Sequence, residues 1–182
     1  HLPDSRGFDH FYGHLNGAID YFKHERDGGI DWQRNGRTVH EPGYTTELLA
    51  AEAKRWIAAQ DRQRPYLLYL PFNAPHTPLQ APEAYLDRYK SIADPRRRTY
   101  AAMVECLDTA VGDVAKAALD RGPTLIIFVS DNGGPRGAGA DNGELRAGKS
   151  TVFEGGIRVP AFVHFSNTLK PAEFGELSSI TD

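Results

Sequence analysis

The chain has 182 residues, 40% hydrophobic and 25% charged, ordinary proportions for one globular domain with a real core. A net charge of -3 gives no electrostatic footprint for nucleic acid or an anionic membrane. A single cysteine, Cys106, excludes an internal disulfide framework, no apolar stretch approaches a membrane span, and no charged-then-apolar leader opens the chain.

Residues 1 to 44 are rich in Gly, His and aromatics and read as loops with short elements. From Thr45 to Gln60, Leu49, Ala53, Trp56 and Ile57 fall on one face at helical spacing, with Thr45 as the expected N-cap and Glu47 in the first turn. Arg64-Pro65 breaks that helix, and Tyr66-Leu-Leu-Tyr-Leu70 reads as a strand. Asp94-Pro95 is a helix start, a capping acid followed by proline at the first helical position. Tyr100, Met103, Val104, Leu107, Val111, Val114, Ala118 and Leu119 continue it as one apolar stripe, and Gly122-Pro123 ends it. Cys106 falls within this stripe, as a buried structural thiol would. Arg96-Arg97-Arg98 lies in its first turns, as a solvated face. Leu125 to Val129 and a segment near Val159 to Phe165 read as strands around a Gly-rich stretch, Gly133 to Gly156. Helix alternating with strand predicts an α/β sheet covered by helices.

Three segments carry chemistry. Thr124-Leu-Ile-Ile-Phe-Val-Ser-Asp-Asn-Gly-Gly134 is a buried-strand pattern ending in a carboxylate and an amide. Ligands of open α/β sheets bind beyond the carboxyl ends of strands, and Asp131 and Asn132 offer the oxygens that Ca²⁺ or Mg²⁺ prefers. The same residues are also ordinary turn chemistry. Pro71-Phe-Asn-Ala-Pro-His-Thr-Pro78 sets prolines on both sides of His76, which suits an imidazole held for proton transfer and equally a loop histidine bonded to backbone. In Leu145-Arg-Ala-Gly-Lys-Ser-Thr-Val-Phe-Glu-Gly-Gly156, Lys149 follows a glycine where an ammonium could hold an anionic ester, or simply face solvent. Glu154 and Arg158, four residues apart, are placed to pair. Together the segments suit an enzyme handling an oxyanion ester, with metal to neutralise charge, a cation to hold oxygens and histidine for the leaving group.

Arg6-Gly-Phe-Asp9, Gly17-Ala-Ile-Asp-Tyr21, Tyr69-Leu-Pro-Phe-Asn-Ala-Pro-His-Thr-Pro78, Ser130-Asp-Asn-Gly133 and Gly148-Lys-Ser-Thr-Val-Phe-Glu-Gly-Gly156 stand in one order along nearly the whole chain. In that order and approximate spacing they resemble the sulfatase family of the alkaline phosphatase superfamily, closest to its arylsulfatase B-like branch. The resemblance implies an alkaline phosphatase-like α/β sheet with helices on both faces. It implies hydrolysis of a sulfate ester, on sulfated carbohydrate or an aryl sulfate, at a Ca²⁺ site with a formylglycine nucleophile. It also implies that Asp131 and Asn132 are metal ligands, and that His76 and Lys149 hold the sulfate group and help the leaving oxygen depart. His24 is a candidate for the substrate pocket. Lys23 stands where related enzymes often carry a small hydroxyl residue, so it either adds anion affinity or faces solvent. Export to the periplasm, the outside or a lysosome-type compartment is the family's common location.

The family's Cys/Ser-x-Pro-x-Arg nucleophile motif is absent from these residues, and Cys106, followed by Leu107-Asp-Thr-Ala110, is no disguised version of it. The early aspartate pair of the metal shell is absent too, as is the lysine-and-histidine segment of which His1 would be the last trace. The expectation is one partial catalytic domain over residues 1 to 182, without the early strands or the carboxyl-terminal subdomain, and with an exposed sheet edge. Two other readings stand beside it: a phosphonate monoester or phosphodiester hydrolase of the same superfamily, and a non-catalytic binding protein that kept the scaffold. The purified 182-residue chain is expected to show no metal-dependent arylsulfatase turnover; a measurable rate in a chromogenic aryl sulfate assay would contradict this.

Overall fold

The structure is a computed structural model and describes residues 2–176, 178 and 179; His1, named above as a remnant, lies outside them. The chain divides into two compact units, His1–Ala117 and Ala118–Asp182.

In the first unit, β1 (Tyr12–Gly13), β4 (Gln33–Arg34) and β5 (Arg37–Thr38) form a small antiparallel sheet in the order β1-β4-β5. β2 (Glu25–Arg26) and β3 (Gly29–Ile30) form a separate hairpin. The helix α1 (Thr45–Ala59) follows, then a single turn α2 (Glu83–Leu86) and the long α3 (Pro95–Leu119), whose last residues open the second unit. Asp94 starts α3 as expected, its Oδ1 accepting the Arg96 amide at 2.9 Å. The expected cap of α1 is corrected: Tyr44 is the N-cap and Thr45 is already helical. The reason is tertiary, because the Thr45 amide donates to the Tyr21 carbonyl at 2.9 Å while the Tyr44 hydroxyl is anchored on the Gln80 carbonyl at 2.8 Å.

Two apolar clusters hold this unit. Tyr21, Tyr44, Ala74, Ala81, Ala102, Met103 and Cys106 form one, placing α3 under the His76 loop. Ile19, Trp32 and Leu49 form the other, joined by Leu70 and Phe72. Cys106 is buried, and that burial, with the negative charge of Glu47, pushes its thiol up to about 11, so it stays protonated and unreactive at neutral pH. Tyr66 to Leu70 departs from the strand expectation. The segment is extended and alternates in burial, with Leu67 and Tyr69 at 76% and 70% exposure, but no strand pairs with it among the described residues. A strand exists only through its ladder partner, which a local pattern does not supply. Arg98 is not merely solvated, for its guanidinium donates twice to the Ile92 carbonyl and closes the turn before α3.

The second unit is built on β6 (Leu125–Val129) and β7 (Ala161–Phe165), an antiparallel pair in register from Leu125 with Phe165 to Val129 with Ala161. Phe128 stacks on Phe162 with ring centroids 5.1 Å apart. Residues alternate across a strand, and here Leu125, Ile127 and Val129 lie exposed on one face of β6. Between the strands run a 3-10 turn, Arg136–Ala138, and a single helical turn α4, Glu154–Ile157. Glu154 and Arg158 pair at 3.5 Å, but both are well exposed, so their contribution is small.

The sheet of the first unit is bound to α1 by Glu52, whose side chain is 9% exposed and receives His10 at 2.8 Å, Arg34 at 3.2 Å and Arg55. Burial alone would push the Glu52 carboxyl up. The hydrogen bonds from Arg55 and Arg34, the Arg34 charge and the His10 bond outweigh it and hold the carboxyl below its ordinary 4.5. A carboxyl depressed in the folded state contributes stability above its unfolded value, and that contribution is lost as pH falls through the folded value. We expect Glu52→Gln to cost about 1–3 kcal/mol near neutral pH, with screening by the part-exposed guanidiniums setting the lower end. The deficit should shrink as pH drops below 4.5, as read by urea unfolding across that range.

Candidate functional site

Each unit presents two short segments that carry the residues singled out from the sequence. In the first unit the first of these is the turn Asn73 to Gln80. The His76 amide donates to the Asn73 carbonyl at 2.8 Å, closing the turn. Two buried tyrosine hydroxyls then clamp its second half: Tyr21 donates to the His76 carbonyl and Tyr44 to the Gln80 carbonyl, each at 2.8 Å. The two rings stack, with centroids 5.1 Å apart. Burial raises both phenols well above their ordinary 10, so they remain donors across the whole working range of pH.

The His76 ring is fixed as well. Its Nδ1 lies 2.8 Å from the Thr77 carbonyl, an acceptor only, so Nδ1 carries a hydrogen and Nε2 is the atom left to gain or lose a proton. No protein group bonds Nε2 among the described residues. This is the arrangement a proton-transfer histidine requires: one nitrogen anchored to the backbone, the other free.

Gln80 ties this loop to the turn Asp20 to His24. Its Oε1 accepts the Tyr21 amide and its Nε2 donates to Asp20 Oδ2, both at 2.8 Å. The other Asp20 oxygen accepts the amides of Phe22 at 2.9 Å and Lys23 at 2.7 Å. Burial pushes the Asp20 carboxyl up, but these bonds and the Lys23 charge outweigh it and keep it below its ordinary range. Lys23 is thereby fixed at its backbone while its side chain stays exposed, with no hydrogen bond or ion pair to its ammonium among the described residues. His24 is buried instead. Its ring stacks on Trp32 at 4.8 Å and its Nε2 lies 3.1 Å from the Gly43 carbonyl, which sets it in the packing behind the turn.

In the second unit, β6 ends at Val129 and the chain turns through Asp131 and Asn132. The Asn132 amide donates to Asp131 Oδ1 at 2.8 Å, and its side-chain nitrogen donates to the Gly133 carbonyl at 3.0 Å. Asp131 Oδ2 and the Asn132 side-chain oxygen remain without donors among the described residues, so both are available to a cation. No group of three His, Cys, Asp or Glu able to hold a metal exists among the described residues.

The Lys149 segment is pressed onto this strand end by backbone contact that only glycine permits. A Cβ on Gly133 would stand 1.8 Å from the Gly155 carbonyl oxygen, and one on Gly148 would stand 2.4 Å from that of Gly134. The Gly133 amide donates to the Gly156 carbonyl at 2.9 Å and the Lys149 amide to the Gly134 carbonyl at 3.3 Å. Asn142 clips the layers together: its Oδ1 accepts the Gly134 amide at 3.0 Å, and its Nδ2 donates to the carbonyls of Gly134 and Ala147 at 2.9 Å. The Lys149 ammonium has no partner among the described residues.

Within the first unit, then, the structure links His76 to the Lys23 turn through Tyr21 and Gln80; within the second it sets Lys149 against the strand end that bears Asp131 and Asn132. Sequence reasoning did not single out Tyr44, Gln80 or Asn142, and gave Tyr21 no role. An isolated Gln or Asn has no local signature, because its partners lie at distant positions in the chain.

Comparison with known proteins gives the family. A family model, Sulfatase, matches residues 3–182. The chain is 40% identical to arylsulfatase J of Mus musculus over 90% of its own length and 29% of that protein's, and 28% identical to N-acetylgalactosamine-6-sulfatase of Homo sapiens over 99% and 37%. The crystal structure of Ps i-CgsB in complex with k-i-k-neocarrahexaose superposes with a TM-score of 0.84 at 37% identity, covering 92% of this chain and 42% of that one. The chain belongs to the sulfatase family. Its mixed α/β fold is part of the sulfatase fold, and it spans about a third of the length of the curated relatives it matches.

Asn142 offers a direct check on how the Lys149 segment is held. Asn142→Ala removes the partner of the Gly134 amide and of the Ala147 carbonyl, while the Gly134 carbonyl keeps the Lys149 amide; the cost is about 1 kcal/mol for each part-buried group left unpaired. Hydrogen-exchange protection of the Gly134 and Lys149 amides should fall selectively, with β6 amides retaining theirs.

Proposed function

We propose that the catalytic protein to which these residues belong is a sulfuric ester hydrolase acting on sulfated carbohydrate, with Ca²⁺ and a formylglycine nucleophile. The observation that carries the reading is the His76 loop, in which a doubly clamped turn anchors Nδ1 and leaves Nε2 free. In the protonated ring, Nε2–H donates to the oxygen that departs with the sugar, a transfer that needs a fixed nitrogen. Lys149 supplies a positive charge to sulfate oxygens, and a compact ammonium suits that point contact.

Asp131 and Asn132 fit the metal in donor chemistry, since Ca²⁺ takes oxygen ligands and each has one oxygen unengaged. Two residues meet only part of the six to eight oxygens Ca²⁺ takes. When bound, the ion would supply charge neutralisation at the sulfate group. The relatives support the substrate class: one is named for action on an N-acetylgalactosamine 6-sulfate, and another was crystallised with a neocarrahexaose.

The test is sulfate release by the protein containing an in-frame Cys/Ser-x-Pro-x-Arg segment together with these residues. Release of inorganic sulfate from a sulfated galactan oligosaccharide, and none of phosphonate from a phosphonate monoester, supports the reading; the reverse preference favours the phosphonate hydrolase, and no turnover of either favours a binding protein. His76→Ala should lower kcat by about 10²–10⁴ toward substrates with poor leaving groups. The deficit should be smaller for an aryl sulfate, whose leaving oxygen needs little protonation. Asp131→Ala should weaken Ca²⁺ binding, followed by calorimetry, by at least about tenfold, the smallest loss that even supporting residues of metal sites show.

A further inference from the structure

The first unit contains a cavity of about 260 Å³ lined by Lys23, His24, Ile30, Val39, His40, Glu41 and Pro42. It is slightly smaller than the roughly 300–1,000 Å³ of drug-sized sites, so it accommodates one sugar ring with its substituent rather than a longer segment. Ile30, Val39 and Pro42 give it an apolar side suited to the C–H face of a pyranose.

Its charge is less balanced than its composition suggests. The Glu41 carboxylate is already engaged, by the Tyr12 hydroxyl at 2.6 Å and by the Arg34 guanidinium at 2.9 Å. Among the described residues no hydrogen bond or ion pair engages the Lys23 ammonium. The cation on the cavity wall is therefore Lys23, whose charge is felt by the Asp20 carboxylate but is not taken up by a direct bond, and it stands beside an exposed imidazole, His40. The backbone of the wall is also tied to the His76 loop: the Lys23 amide donates to Asp20, Gln80 donates to Asp20, and Tyr21 donates to the His76 carbonyl.

We propose that this cavity is a carbohydrate subsite that selects a second anionic substituent, a sulfate on a sugar neighbouring the one that is cleaved, with Lys23 as the specificity-determining contact. It rests on the sulfatase reading above and adds to it the substrate class, an oligosaccharide sulfated on adjacent residues.

The experiment uses the 182-residue chain and a sulfated neocarrahexaose, with the chemically desulfated hexasaccharide as control, followed by ¹⁵N chemical-shift titration. Shifts should concentrate on Lys23, His40 and Val39, and should be absent with the desulfated probe. Lys23→Gln should weaken binding about tenfold, the value of one charge-assisted contact, and Lys23→Arg should largely restore it. Because Lys23 is exposed, both variants should keep the wild-type shift pattern elsewhere, which guards against misfolding. Equal binding of the desulfated probe, unchanged affinity in Lys23→Gln, or no binding by the wild-type chain would each overturn the subsite. The two readings separate in the catalytic protein. Failure to release sulfate despite a Lys23-dependent shift pattern removes the hydrolase and leaves the subsite. Sulfate release that is indifferent to Lys23→Gln, on both the hexasaccharide and a small aryl sulfate, removes the subsite alone.

Discussion

Two tyrosine hydroxyls donating to two backbone carbonyls set the geometry on which the first unit's chemistry depends. The carbonyls of His76 and Gln80 bound the second half of the turn Asn73 to Gln80, and Tyr21 and Tyr44 hold them through stacked, fully buried rings. A buried carbonyl without a partner is costly, so the turn has one low-energy position and the imidazole it carries has one approach. The same rings form the centre of the apolar cluster under α3. Packing and site geometry therefore rest on the same atoms, and any change that expands this cluster moves His76.

The second unit solves the same problem by different means. It contains little apolar burial around its loops, and Leu125, Ile127 and Val129 of β6 are exposed. Its precision comes from backbone lying directly on backbone at Gly133, Gly148, Gly155 and Gly156, with Asn142 supplying the polar bonds between layers. Glycine here serves close approach, since these four positions carry no positive φ. Gly155 and Gly156, inside the single helical turn α4, are part of that contact surface.

What could be read from the sequence follows from range. Asp94-Pro95 starting α3, the buried thiol of Cys106 and the strand before Asp131 are local patterns, and the structure has each of them. Tyr66 to Leu70 carries an equally good strand pattern, yet strand identity depends on a partner that a local window cannot contain. The cap of α1 slipped by one residue because Tyr44 is held from Gln80, 36 positions away. His76 and Lys149 were visible as residue types beside prolines and glycines, but the reasons they are fixed lie in Tyr21, Tyr44 and Asn142. Only the order of several motifs, read as a family pattern, joined them.

The turn from Asp20 to His24 separates two kinds of constraint within five residues. Asp20, Tyr21 and His24 are committed inward, each through bonds or ring contacts with distant parts of the unit. Lys23 is held only through its amide, which every residue but proline can offer. Evolution can therefore replace the side chain at this position freely without loosening the loop behind it. In the proposed subsite, single substitutions there would change the sugars preferred, while the residues on either side stay tied together as one block.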